Sequence, residues 1–354
     1  MGPASSPAPV LTCADWLEVI EPRLTGPLFD PETVERLRNL ATLLPGECQG
    51  TLEARLAPGR APVDLSLRVR TASEASGMAA RLPSSPPREF LLRWAEAGGE
   101  LAPVRSVWLE WDLDRKPAED LLPAPVVCAK LPRDTNSGWL TGTLLPALQG
   151  QPLPAGQRAR ILACLEALPP SATLLYVFDL RARGSEAVRL EIFGLEPGKM
   201  AGYLRRLSPE RAPAVEEVAP LFAGVERLHL SFEVTDALLP RIGIEGSFPR
   251  QPSREPRWAA LFERLVERRL CSPAKRDAAL AWTGYDTFWT AAERWPLAAI
   301  GPRGVCLRTL SHVKVVARRA KIRARVNHLP IQPETIKIVR NIVMERYRAP
   351  VPLR

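Results

Sequence analysis

Asp64, Ser66, Arg68 and Arg70 alternate with Val63, Leu65, Leu67 and Val69, and this run carries the sharpest chemical signal in the sequence. A period of two describes a strand with one apolar and one polar face. Turned into a partly dry interior, the Asp64 carboxylate is pushed up by desolvation or held down by neighbouring arginines. Either state suits a base or a stabiliser of positive charge. The same pattern also fits a solvated edge strand with ordinary surface charge. A second candidate set is cationic. Residues 301–330 carry eight Lys or Arg and no acid, and Lys321 and Arg323 alternate there with Ile322 and Ala324. Facing inward, such a strand is an anion-binding wall; facing outward, it is a solvated stripe. A nucleic-acid surface is the third reading, with no recognised motif and no interleaved aromatics to support it.

These residues need elements to position them. Paired apolar runs fall near 51–70, 107–130, 173–193, 227–248 and 305–326, with amphipathic helical stretches between them. One supersecondary unit used five times predicts ten antiparallel strands, enough to close a barrel around a lumen with helices outside. The fold class is therefore α+β. Helices are expected near 12–21, 31–43, 73–81, 87–97, 139–148, 155–168, 197–207 and 212–222, then a long helical block over 255–295 and a closing helix over 333–346. The second opens on Asp30 as N-cap with Pro31 at the first helical position. Trp108 and Trp111 are three apart in a strand, so at most one of them faces a lumen. His229 lies in an apolar strand and reads as a satisfied strand residue, whereas His312 is a candidate to orient a ligand.

Composition fits one compact body: 354 residues, 46% hydrophobic and 25% charged, with a net charge of +9. We expect a disordered lead over 1–11 and a single barrel domain over 12–350. No window is long and apolar enough for a membrane span, and the first residues lack the basic and apolar regions of a secretory signal. The six cysteines are scattered, with no C-x-x-C pair. That excludes a zinc site of the usual spacing and points to reduced thiols in a cytoplasm.

Ala61-Pro62-Val63-Asp64-Leu65-Ser66 resembles the T-P-[IV]-E-[LF]-S motif of the indole (dimethylallyltryptophan-synthase type) prenyltransferases. Phe178-Asp179, followed by Val188-Arg189-Leu190-Glu191-Ile192-Phe193, resembles that family's F-D and R-L-K-[IV]-Y hairpin. The resemblance implies the ABBA barrel of ten antiparallel strands. It implies Asp64 in the place of the glutamate that serves as base, and Arg189 in the place of the arginine that contacts diphosphate. The family's lysine and tyrosine in that hairpin are Glu191 and Phe193 here. Other segments, among them Leu239-Pro240-Arg241-Ile242-Gly243 and Ser311-His312-Val313-Lys314, resemble uncharacterised bacterial proteins associated with modified-peptide biosynthesis.

The expected function is prenyl transfer from an allylic diphosphate to an aromatic or peptide side-chain acceptor in natural-product metabolism. Asp64 would be the base, with Arg68 or Arg189 as its cationic neighbour. Arg68, Arg189, Lys314, Lys321 and Arg323 would bind substrate in a common cavity, unless Glu191 pairs with Arg189 and neutralises it. No D-D-x-x-D, P-loop, G-x-G-x-x-G or Ser/His/Asp elbow occurs, so lysine and arginine would carry the diphosphate charge and no metal or cofactor is expected. The alternative is an ABBA-fold protein of other or no catalysis that binds a precursor peptide or partner.

Overall fold

The computed structural model describes residues 12–46, 48–114, 126–297, 302, 304–318 and 336–346. The strands are β1 (Gln49–Arg55), β2 (Val63–Val69), β3 (Ser106–Trp111), β4 (Val126–Lys130), β5 (Thr173–Asp179), β6 (Val188–Phe193), β7 (Arg227–Val234), β8 (Leu238–Ser247), β9 (Gly284–Thr287), β10 (Gly304–Arg318) and β11 (Ile336–Arg346). β1 to β8 pair in chain order, β8 pairs with β10, β10 with β11, and β11 with β1, all antiparallel. Ten strands thus follow one another round the sheet, as expected, with helices packed around it. β9 is an eleventh, attached to the first half of β10.

Two expectations change near the C-terminus. The helix expected over 333–346 is instead strand β11. Ile336, Ile338, Val339, Ile342 and Val343 are β-branched, and their preference for an extended chain is realised because β1 and β10 supply a ladder on each side. The strand expected over 321–326 lies outside the described residues. The block over 255–295 is also shorter in helix than expected: helices span Arg257–Glu267 and Pro273–Leu280, and β9 follows.

Alternation decides which side chains see the lumen. Val63, Leu65, Leu67 and Val69 of β2 are fully buried against the helical layer. There Trp16, Phe90, Tyr203, Phe222, Trp258 and Phe262 are also buried. Close approach of helices to strands needs room at two glycines. A Cβ on Gly50 would sit 2.8 Å from the Trp16 ring, and one on Gly246 2.4 Å from the Phe222 ring. The helix starts are capped as their sequences suggest: Asp30 accepts from the Glu32 backbone, and Thr12 forms a capping box with Asp15.

Candidate functional site

The inward faces of the strands surround a cavity of about 640 Å³, within the size range of small-molecule sites. Six carboxylates and eight Lys or Arg side chains line it, together with His229 and His312. Its charges sort into three zones along the barrel.

At one end, where β1 finishes and β2 begins, arginines are matched to acids. Arg55 donates to Asp64 at 2.8 Å and reaches Asp114 at 3.5 Å. Arg183, just past β5, grips Asp112 at 2.7 Å and Glu110 at 3.0 Å. Arg189 donates to Glu233 at 2.8 Å, and Arg241 approaches the same carboxylate at 3.4 Å. Burial raises the Glu110 pKa, against the pull of Arg183. Burial also brings Arg241 down to about 10, with Arg189 adding to the effect.

The middle zone joins four neighbouring strands. Glu191 of β6 lies 2.5 Å from His229 Nδ1 of β7. Glu245 of β8 holds the Lys314 ammonium of β10 and stands 3.3 Å from His312 Nε2. The β10–β11 register shifts between Leu310 and His312, and Ser311 and His312 both line the cavity. Such bulges re-aim side chains at functional sites. Burial alone would lower the His229 pKa, but the hydrogen bond and charge of Glu191 outweigh it and raise it. Burial lowers that of His312. Glu245, despite burial, is held down to about 2 by Lys314.

The third zone, at the opposite end, is cationic and aromatic. The Arg68 guanidinium lies 5.7 Å from the Trp108 ring centre, and the Lys130 ammonium lies 5.9 Å from that of Tyr176. Among the described residues no carboxylate is within ion-pair distance of Arg68 or Lys130; Arg68 donates to Ser106 at 3.2 Å. Burial lowers the Lys130 pKa, and the charges of Arg68 and Arg105 lower it further. Trp111, three residues from Trp108, is buried on the other face.

The sequence-derived candidates therefore divide. Arg68, Arg189 and Lys314 line one cavity, but Arg189 and Lys314 are held by carboxylates. Glu191 pairs with His229 and not with Arg189. Asp64 is inside the barrel wall, but its cation is Arg55 rather than Arg68 or Arg189, and it does not line the cavity. Lys321 and Arg323 lie outside the described residues. His229, expected to be a satisfied strand residue, is satisfied by a lumen carboxylate. Sequence reasoning passed over Lys130, Tyr176, Glu53 and Arg183. The inward parity of Glu53, Lys130 and Tyr176 was readable within each strand, but their neighbours across strands were not, and Arg183 lies in the turn after β5, where no parity applies.

No family model and no curated protein matches this chain. Solved structures do resemble it. One is a 6-dimethylallyl tryptophan synthase, at 14% identity and a TM-score of 0.50, covering 92% of this chain and 94% of that one. Another is AnaPT from Neosartorya fischeri, at 9% identity and a TM-score of 0.55, covering 94% and 92%. At these identities the likeness defines the class by fold: a helix-sheathed antiparallel barrel of the ABBA prenyltransferase type.

Proposed function

We propose that this chain is an enzyme that transfers a prenyl group from an allylic diphosphate to an aromatic or peptide side-chain acceptor inside the barrel. The observation that carries the reading is the third zone: two cations with no acid partner among the described residues, each set against an aromatic ring in a substrate-sized cavity. Arg68 and Lys130 would take the diphosphate, since cationic donors aimed at a leaving oxyanion lower the barrier to ionisation. Trp108 and Tyr176 would shield the allylic cation through their ring faces. The acceptor attacks that cation and then loses a proton.

Glu53 would accept that proton. It lines the cavity and stands directly opposite Asp64 in the β1–β2 ladder. Asp64 would act through Arg55, fixing its guanidinium and adding negative charge behind the cavity wall. The six cysteines are buried thiols outside any disulfide, which fits a reducing cytoplasm. Among the described residues no helix is long and apolar enough to cross a membrane. One of the solved structures that share the fold is a 6-dimethylallyl tryptophan synthase, which favours an indole-type acceptor.

Incubation with dimethylallyl or geranyl diphosphate and indole, tryptophan or tryptophan-containing peptides tests the reading by mass spectrometry. Prenylated acceptor and released diphosphate are expected. The second reading, a barrel that binds a peptide without prenylating it, is favoured by one observation: the family-matching Arg189 is neutralised by Glu233. A peptide bound with no prenyl product from either diphosphate would establish it instead.

A further inference from the structure

The middle of the lumen holds a constellation that prenyl transfer, as read above, leaves unused. The whole sequence contains three histidines, and two of them face this cavity, each against a carboxylate. One ligand atom from each of Glu191, His229 and Glu245 lies within 4.8 Å of the other two. Both carboxylate residues are buried, and His229 is the direct ladder partner of Glu245. The three thus project from adjacent strands whose spacing is fixed by hydrogen bonds.

We propose that Glu191, His229 and Glu245 form a binding site for one divalent transition-metal ion, with His312 as a further ligand or as the group that orients Glu245. The donor set selects the class of ion. Imidazole nitrogen with carboxylate oxygen suits Zn²⁺, Mn²⁺ or Fe²⁺, whereas Ca²⁺ and Mg²⁺ take oxygen alone. Ligand atoms about 2.1 Å from a tetrahedral ion stand about 3.4 Å apart, so the group closes round an ion by small side-chain movements.

Charge supports the same assignment. Without an ion, Glu245 is held by the Lys314 ammonium, and Glu191 is hydrogen-bonded to His229 Nδ1. An arriving dication competes with the ammonium, in a buried setting where its attraction to the two carboxylates is strong. The ion's open positions would face the cavity beside Tyr176, the ladder partner of Glu191. Linear spacing could not display this site, because each strand contributes one ligand.

The test uses the full chain, free of any affinity tag and stripped by chelator, titrated with Co²⁺ and Zn²⁺; it needs no allylic substrate and is independent of prenyl transfer. One ion per chain and a visible ligand-field spectrum for Co²⁺ are expected. Glu191→Gln and His229→Gln should each weaken binding at least about tenfold. Lys314→Met, which leaves every ligand in place, should tighten it, and this keeps the test open where a ligand variant does not fold. Less than one ion per chain, affinities unchanged by Glu191→Gln and His229→Gln, or binding not tightened by Lys314→Met would overturn the site.

Discussion

In the barrel interior a guanidinium nitrogen of Arg189 lies 2.8 Å from a carboxylate oxygen of Glu233, and both side chains are buried. Motif resemblance made Arg189 a candidate for diphosphate contact, and this pairing makes it part of the barrel's internal wiring instead. Removing one member of a buried pair leaves a charge uncompensated. Glu233→Ala should destabilise the protein by about 3–5 kcal/mol in denaturant unfolding. Replacing both, as in Arg189→Met with Glu233→Leu, should recover most of that loss. Equal destabilisation in the single and double variants would show that the pair is not the cause.

The matched charges also set a pH dependence. The Glu233 pKa is lowered, since Arg189 outweighs the upward push of burial, and that of Glu245 is lowered to about 2. A carboxylate whose folded pKa is depressed contributes stability above its unfolded pKa and loses it as the pH falls through the folded value. Thermal stability should therefore fall from about pH 4.5, the ordinary carboxylate range, towards pH 2. Glu233→Gln should flatten that slope. A wild-type melting temperature constant across this range would contradict the assignment.

The alternation of β2 was fully legible in the sequence: the apolar residues at 63, 65, 67 and 69 went to the helices, and Asp64, Ser66 and Arg68 to the inside. What the sequence withheld was pairing across strands. Asp64 meets Arg55 because β1 lies beside β2 in a particular register, and Lys130 meets Tyr176 through the β4–β5 ladder. Neither follows from spacing along the chain. β11 was misread for a related reason. Pro333 offers a plausible helix start, while the extended state of 336–346 is stabilised by partners far away in sequence.

Two carboxylates distinguish positioning from proton transfer. Glu53→Gln should cut prenyl turnover on the order of 10²-fold with little change in melting temperature, as expected for loss of a general base. Asp64→Asn keeps the shape, so turnover should fall less than about tenfold, while the weakened grip on Arg55 lowers stability. The reverse order of the two effects would return the base role to Asp64.

The contact between Gly246 and Phe222 tests how the helical layer seats on the barrel. A Cβ there would lie 2.4 Å from the ring, so Gly246→Ala should cost about 1–3 kcal/mol through overpacking. Adding Phe222→Leu should relieve part of it. If Gly246→Ala alone is neutral, the helix approaches the strand less closely than described.

The central claim is that Arg68 and Lys130 receive the diphosphate. Calorimetric binding of a non-ionising dimethylallyl thiolodiphosphate to the wild type, Arg68→Met, Lys130→Met and Arg189→Met/Glu233→Leu measures it directly. Binding to the wild type is expected, with a loss of at least about tenfold, roughly 1.4 kcal/mol, for each of the first two variants, and near-wild-type affinity for the pair replacement. Absence of binding to the wild type, or affinity that survives loss of Arg68 and Lys130 but not of Arg189, would contradict it.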